Sequence, residues 1–217
     1  RHIEPRLSLR YKIDKNSSFK ASYTQNYQYI HLASLSSVSL PTDLWVPSTD
    51  IVKPQYGRQF AVGLFKNFFD NKWETSIEAY HKKMDNLIEY KEGALPEDNT
   101  NTSSDNSFTF GNGESRGLEF FIKRRLGKTT GWLGYTISKT TRQFDELNNG
   151  IEFSAKYDRT HDISLTATHE LNDKWVLSAV FVYATGNTLT PVLDICKHRL
   201  HDMTVRKFKE RQTDKIS

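Results

Sequence analysis

The segment Gly113-Glu114-Ser115-Arg116-Gly117 is the pattern in this sequence that most suggests catalysis. It matches a nucleophile elbow, in which a serine sits on a tight turn between a strand and a helix. Here a Gly- and Asn-rich stretch precedes the serine and an alternating strand pattern follows it, so the required helix is not predicted. We expect the glycines to let the chain leave a loop and enter a strand, and we predict no catalytic residue and no enzyme activity.

Two groups of potential metal ligands occur in the sequence: Asp158, His161 and Asp162, and Cys196, His198 and His201. The first group has one histidine beside carboxylates, and adjacent strand residues point to opposite faces, so it falls short of a zinc or iron site. The spacing of the second group fits no standard zinc finger. We predict no metal and no cofactor, and we expect the first group to form hydrogen bonds at a loop rim.

The composition points to a wall between two different environments. The chain has 217 residues, of which 36% are hydrophobic and 26% are charged, with 13 Phe and 10 Tyr but one Cys. This composition is unusual for a protein with a water-soluble fold, but it suits a sheet with one lipid face and one polar face. No run approaches the roughly 20 apolar residues of a membrane helix. The net charge of +4 includes no basic block, so we predict no nucleic-acid partner.

Alternation of period two is the strongest structural signal. In the first strand, basic or polar residues fall on one face. The apolar residues fall on the other face: Leu7, Leu9, Tyr11 and Ile13. The turn residues 14–17 follow, and the alternation resumes at Phe19. The same unit of strand, short turn and strand returns around 70–72, 127–130 and 172–174. The sequence therefore predicts four hairpins and eight strands.

Long polar connections separate these hairpins, approximately over Ile30 to Tyr56, Lys91 to Gly113 and Phe144 to Tyr157. Outer-membrane barrels combine short periplasmic turns with long extracellular loops, whereas a soluble sandwich mixes its loop lengths more evenly. We therefore predict an all-β fold, an antiparallel transmembrane β-barrel fragment of about eight strands.

An aromatic residue follows each short turn: Phe19, Trp73, Trp132 and Trp175. Amphipathic rings prefer the head-group zone of a bilayer, so we predict that these four form a membrane-interface girdle. Packing of Trp at hairpin ends of a soluble sheet is the alternative.

Charged residues alternate with apolar ones in several strands, and we expect them to face a hydrated lumen: Lys20, Glu74, Glu78, Glu119 and Lys123. The first long loop contains Tyr29, His31 and Trp45, which are our candidates for ligand contact because aromatic loop residues offer large contact areas. The alternative is that the apolar part of this loop only packs onto the rim.

Several segments resemble one known family in their residues, order and spacing: Glu4–Tyr11, Lys20–Tyr23, Leu40–Pro47, Lys53–Gln55, Glu74–Tyr80, Arg116–Glu119 and Tyr157–Ile163. Over Glu4 to roughly Thr190, the chain is similar to TonB-dependent receptors of the Bacteroidetes type. The resemblance implies a barrel of about 22 strands, plugged by an amino-terminal domain. It also implies uptake of a scarce ligand such as a siderophore, cobalamin, a glycan or a peptide.

The resemblance further implies a location in the bacterial outer membrane, with the lipid bilayer and the TonB complex as partners and a surface lipoprotein as a further candidate partner. By this resemblance, we expect the chain to supply about eight of the strands and to contain neither the plug domain nor the TonB box. Its first residues lack a signal peptide, so we expect it to begin within a longer protein.

The last 27 residues depart from the family pattern. Alternation is lost from Val192 onward, and Lys, Arg and His accumulate. Barrels of this family normally finish with a strand whose last residue is aromatic. We predict a partial receptor barrel over 1–190 and an atypical polar tail over 191–217, in which the reading frame was broken or a piece was lost. A native polar tail is the alternative.

Two other interpretations remain open at this point. Eight strands can close into a complete small barrel with a structural or adhesive role. A soluble β-sandwich or carbohydrate-binding module could use the same alternation with its apolar face turned inward. If the chain is a barrel fragment, we expect an incomplete sheet with two open edges.

Overall fold

The computed structural model describes residues 2–33, 44–91 and 104–186, together with the backbone of 188–189 and 214–215. The strands are β1 (Arg6–Lys12), β2 (Ser17–Gln28), β3 (Ile30–Ala33), β4 (Leu44–Pro47), β5 (Gln55–Phe68), β6 (Trp73–Tyr90), β7 (Phe108–Arg124), β8 (Thr129–Phe144), β9 (Phe153–Ser154), β10 (His161–Asn172), β11 (Trp175–Ala184), β12 (Thr188–Leu189) and β13 (Asp214–Lys215). Short 3-10 turns occupy Ser104–Ser107 and Asn148–Gly150. Within these ranges, no helix has the length and apolar character needed to cross a membrane.

Eight strands form one antiparallel sheet in the order β1-β2-β5-β6-β7-β8-β10-β11, and β9 adds a short pairing to β8. All four predicted hairpins are present as neighbouring strands of this sheet. In the described part of the chain, β1 and β11 each pair on one side only. The sheet is therefore open at both edges, and the eight strands do not close into a small barrel.

The short turns form through local side-chain hydrogen bonds. The Asp14 carboxylate accepts from the backbone N–H of Asn16 at 2.6 Å, and this contact lowers the pKa of Asp14. The Asn172 side chain accepts from the N–H groups of Lys174 and Trp175, both at 3.0 Å. Such Asx turns fix where each strand reverses and so help to set the register.

The register divides the main sheet into two faces, because opposed residues of antiparallel strands point the same way. One row crosses five strands: Leu64, Ile77, Phe120, Tyr135 and Ile163. We call this side the apolar face and the other the polar face. Leu7 and Phe181 on the apolar face are 68% and 55% exposed. Among the described residues, no second sheet packs over these two side chains.

The long connections contain more regular structure than the sequence predicted. β7 begins at Phe108, although the loop was expected to run from Lys91 to Gly113. Glycines in that stretch belong to the strand, since a Cβ at Gly111 would collide with the backbone of Gln143 and the ring of Phe144. The first connection contains the β3–β4 hairpin and the third contains β9.

Two small clusters bury the apolar side chains at the long-loop end of the sheet. The hairpin cluster consists of Ala33, Val46, Val52, Ile88, Tyr90 and Phe108. The loop cluster consists of Leu87, Phe144, Leu147 and Phe153, with Met84 packed against it. Both clusters lie where the strands extend beyond the apolar rows, and they anchor the loops to the sheet.

A bulge in β6 determines on which face of the sheet each of the two clusters lies. The pairing with β7 shifts between Met84 and Leu87, and Asn86 takes a positive φ of 59°. Beyond the bulge, Leu87 lies opposite Gly111 on the polar face, and Tyr90 lies opposite Phe108 on the apolar face. The β3–β4 hairpin therefore packs on the apolar side, and the segment after β8 packs on the polar side.

Candidate functional site: the polar wall and the loop cap

The polar face of the sheet carries all the charged residues that the alternation predicted for it: Lys20, Glu74, Glu78, Glu119 and Lys123. Glu74 lies opposite Lys123, and Glu78 lies opposite Glu119. A recess of about 510 Å³ lies among these strands and is lined by all five side chains. These strands of the polar face thus form a mainly hydrophilic wall.

Aromatic rings interrupt this wall. The Lys20 ammonium lies 3.8 Å from the ring centroid of Phe65, and Phe121 stacks on Trp132 with centroids 6.1 Å apart. A Cβ at Gly117 would lie 2.6 Å from the Tyr80 ring, so this glycine makes room for an aromatic side chain. The wall therefore combines charge with flat apolar surfaces that can pack against another group.

The four predicted girdle aromatics do not share one face. Phe19 lies opposite Tyr11 on the apolar face, and Trp73 lies opposite Phe68 on that face. Trp132 lies opposite Lys123, on the polar face, because it precedes the apolar-face residues of β8 by one position. Its assignment to a lipid-facing girdle is therefore corrected. The girdle remains a prediction for Phe19, Trp73 and Trp175.

Side chains of the predicted ligand-binding loop do not converge on one site. His31 is fully buried, and its Nε2 lies 3.0 Å from Ser48 Oγ. Burial lowers the pKa of His31, and its Nδ1 has no hydrogen-bond partner among the described residues. Trp45 is 63% exposed, and the Tyr29 hydroxyl lies 2.9 Å from Nδ1 of His2.

The position of the β3–β4 hairpin separates these three residues from the polar wall. The hairpin packs against Ile88 and Tyr90 on the apolar side of the sheet, and its His31 side chain is buried. As placed, His31 presents no surface to a ligand, which departs from the prediction. A ligand role for Tyr29 and Trp45 stays a prediction.

The described parts of the long connections, which include β3, β4 and β9, form what we call the loop cap. On the polar side of the sheet, a buried ion network holds the loop cap in place. Glu89 is 6% exposed, and its two carboxylate oxygens accept from Arg142 Nη1 and Lys156 Nζ, each at 2.9 Å. Asp158 is 2% exposed and accepts from the backbone N–H of Thr140 at 2.8 Å. These contacts fasten the segment between β8 and β10 to β6 and β8.

Sequence reasoning missed this network because its members are far apart along the chain. Glu89 is 53 residues from Arg142 and 67 from Lys156. No local spacing connects such residues. The one available signal was a glutamate among apolar neighbours, in the stretch Leu87-Ile88-Glu89-Tyr90.

Ser115, His161 and Asp162, from the candidate catalytic and metal-binding motifs, lie within strands of the sheet. Ser115 lies within β7, where its Oγ is 2.8 Å from Thr140 Oγ1, and no turn or helix follows it. His161 Nδ1 lies 2.9 Å from the Tyr135 hydroxyl, and Asp162 opposes Thr136 on the other face. In the described part of the chain, no group of three or more His, Cys, Asp or Glu could hold a metal ion. The candidates at 196–201 lie outside the described residues.

A family model described as TonB dependent receptor-like, beta-barrel, matches residues 1–191. The chain belongs to this family. The receptor barrel also resembles solved structures of Pseudomonas aeruginosa FpvA. The complex of FpvA with a heterologous pyoverdine and iron has a TM-score of 0.61 at 16% identity, covering 86% of this chain and 23% of that chain. No curated protein sequence matches the chain significantly.

Two further FpvA structures give the same result. The receptor bound to ferripyoverdine has a TM-score of 0.55 at 14% identity, and the receptor bound to pyoverdine has 0.56 at 15%. Each match covers 84% of this chain, but 25% and 27% of the receptor. At such identities the likeness shows the fold alone, and this chain spans about a quarter of those receptors.

These matches establish the fold class as a fragment of an antiparallel transmembrane β-barrel. The family is one of outer-membrane receptors and transporters rather than enzymes. The Bacteroidetes type stays a prediction, as does the division into a barrel over 1–190 and an atypical tail. Apart from the backbone of β13, the tail lies outside the described residues.

Proposed function

We propose that this chain forms part of the barrel of an outer-membrane TonB-dependent receptor that takes up a scarce ligand. The observation that carries the proposal is the alternation of faces across the neighbouring strands from β1 to β10 of the main sheet, with exposed apolar side chains on one side and mainly polar or charged residues on the other. The apolar face contacts lipid and the polar face lines the lumen. The short turns are periplasmic and the loop cap is extracellular.

A siderophore is the ligand class that we favour. The structural neighbours are described as receptors bound to pyoverdine or ferripyoverdine. Cobalamin, a glycan and a peptide are the other outcomes of a ligand screen. For this chain, the ligand path would follow the polar face at the long-loop end, where Gln59, Lys82 and Ser115 occupy neighbouring strands.

The plug domain and the contact with the TonB complex would lie in sequence beyond these 217 residues, since the chain spans about a quarter of each neighbour. Phe65, Phe121 and Trp132 support this arrangement, because rings on a lumenal wall are better packed against a folded plug than left in water. A surface lipoprotein that caps the barrel remains a further candidate partner, for which exposed Trp45 offers a contact.

Spin labels on β7 test the assignment of the two faces. In the complete receptor reconstituted in bilayers, single labels at 118–121 are compared for collision with oxygen, which concentrates in lipid, and with a water-soluble nickel chelate. We expect labels at Leu118 and Phe120 to favour oxygen and those at Glu119 and Phe121 to be shielded from it. Equal oxygen accessibility at all four positions would contradict the proposal.

Uptake assays test the ligand path. Replacing Lys82 with Ala should weaken uptake of the cognate ligand, whereas Lys15→Ala in a short turn removes the same charge far from the path. Cells are screened first with iron siderophores, then with cobalamin, glycans and peptides. Uptake of none of the four classes would contradict the transport proposal.

A further inference from the structure

β11 departs from the two-faced pattern of the main sheet. Its Phe181 lies opposite Leu165 on the apolar face, as the pattern requires. On the polar face, however, β11 carries valines that are between 58% and 72% exposed, and we call them the valine stripe: Val176, Val180 and Val182. A strand that is apolar on both faces is typical of a strand that is covered on both sides. In the described part of the chain, no element covers the stripe.

The polar face beside the stripe carries small uncharged side chains. β10 and β8 place hydroxyl groups and a glycine there: Ser164, Thr166, Thr168, Gly134 and Thr136. Between two of the valines lies Ser178, whose Oγ is 3.1 Å from Thr168 Oγ1. This hydroxyl therefore has a partner within the sheet and does not require water. The charged residues of β10 on this face, Asp162 and Glu170, lie at the two ends of the uncharged surface.

Most charges of the polar face lie on other strands. From β1 to β7, charged side chains recur along this face: Arg10, Lys12, Lys20, Glu74, Glu78, Lys82, Glu119 and Lys123. Arg10 lies directly opposite Lys20, and like charges in opposed positions destabilise an antiparallel pair. Water weakens such a repulsion because of its high dielectric constant. The polar face thus has a side that requires water and, at β11, a side that does not.

The length of the stripe indicates the size of its partner. Val176 and Val182 are both in β11, six positions apart, which spans about 20 Å at about 3.3 Å per residue. Apolar surface is unfavourable against water, and a contiguous apolar patch marks a contact surface. A small ligand that passes through a lumen would cover the stripe only briefly. A folded domain that stays in place would cover all of it.

The position of the stripe limits which domain can cover it. Under the proposed function, lipid covers the opposite face of β11, and the stripe faces the lumen, which a second receptor cannot enter. The chain corresponds to 23–27% of each solved receptor that it resembles. Most of such a receptor therefore lies outside these residues, and its plug domain is the part that occupies the lumen.

We propose that the valine stripe is a dry docking surface for the plug domain of the complete receptor. An uncharged, apolar part of the plug packs on Val180 and Val182 and excludes water from Ser178. Around Arg10 and Lys20, the plug leaves water against the wall. This inference rests on the proposed function and adds the place and the chemistry of the contact: the plug is held mainly from the side of β11.

A photoreactive benzophenone amino acid identifies what covers the stripe. It is introduced into the complete receptor at position 180 or, as the matched control, at position 22, and intact cells are irradiated. Val180 and Ser22 lie on the polar face, each five residues after the first residue of a strand that follows a short turn. We expect position 180 to cross-link to sequence that precedes Arg1 in the same polypeptide, and position 22 to do so much less. A cross-link from position 180 to lipid or to another protein, equal yields at the two positions, or no cross-link from position 180 would each overturn the inference.

Charge substitutions test whether the contact is dry. Val180→Lys places an unpaired charge in the stripe, whereas Ser22→Lys adds the same charge beside Lys20. Vancomycin is too large to cross an intact outer membrane, so its entry reports displacement of the plug. At equal receptor levels, entry should rise at least about tenfold with Val180→Lys, because an unpaired charge in a dry contact is strongly unfavourable. With Ser22→Lys it should stay at the wild-type level.

A milder variant and a second measurement keep the test decisive. Val180→Thr adds only a hydroxyl group, and its smaller rise in vancomycin entry answers the question if the lysine variant is not assembled. Entry that stays at the wild-type level in the assembled Val180 variants would overturn the inference. Spin labels at 118–121 on the same receptor separate the causes. Loss of the two-residue period defeats the proposed function, whereas an intact period without cross-links from position 180 defeats this inference alone.

Discussion

Replacing Glu89 with Gln should release the loop cap while leaving the membrane-spanning rows intact. The substitution keeps the side-chain volume but removes the charge that Arg142 and Lys156 both contact at 2.9 Å. Removing one partner of a buried ion pair costs about 3–5 kcal/mol. The Arg142 and Lys156 side chains are 26% and 22% exposed, so water recovers part of this loss.

We therefore expect the segment between β8 and β10 to lose about 2–3 kcal/mol of local stability. This corresponds to roughly 30- to 150-fold faster opening of its hydrogen bonds. The assay is amide hydrogen exchange of the receptor in outer-membrane vesicles. Its reporter is the Ala155 amide, which donates to Thr140 O at 2.9 Å.

Glu146→Gln is the matched control, because it makes the same replacement within the segment between β8 and β10, whose stability is measured. Glu146 forms an exposed pair with Lys91 at 3.6 Å, and an exposed pair contributes about 0–1 kcal/mol. Exchange at Ala155 that is the same in the two variants would refute the reasoning. It would show that the loop cluster alone holds the segment.

Acidification should open the β3–β4 hairpin, because burial lowers the pKa of His31 and favours its neutral form. The stability is full above a pH of about 6.5 and is lost as the pH falls through the lowered pKa, and His31→Leu should abolish this dependence in hydrogen exchange of β3. Gly117→Ala should destabilise the sheet by about 1–3 kcal/mol in urea, because the new methyl group meets the ring of Tyr80. Adding Tyr80→Leu should restore much of that loss, and no recovery would point to a backbone effect. Phe120→Arg on the apolar face should cost about 2–4 kcal/mol of folding free energy in lipid, whereas Glu119→Arg, one position away, should be nearly neutral.

The main sheet could be predicted from sequence because each of its residues meets one of two different environments. A strand with lipid on one side and polar groups on the other must alternate with period two, as Leu7, Leu9 and Tyr11 do. The short turns were equally predictable, since Asp14 and Asn172 bond to backbone groups two or three residues away. The strands could be predicted because their pattern is periodic, and the turns could be predicted because their hydrogen bonds are local.

The loop cap could not be predicted in the same way because long-range contacts hold it. Glu89 bonds to Arg142 and Lys156, which are 53 and 67 residues away, and the hairpin that contains His31 packs against Ile88 and Tyr90 of β6. The bulge at Asn86 adds a second obstacle, since one extra residue exchanges the two faces of everything that follows in β6. The sequence pattern alone therefore placed Tyr29, His31 and Trp45 in a plausible loop but on no particular side.

Among the described strands, β1 and β11 each pair on one side only, and this bears on how such a sheet is assembled in the cell. A strand that entered the bilayer before its neighbour would carry a ladder of unsatisfied N–H and C=O groups into hydrocarbon, where no water can bond them. Insertion is therefore a collective event: strands must either arrive together or be escorted by machinery that temporarily offers a β-edge of its own. The biogenesis of this segment depends on the strands that flank it as much as on its own residues.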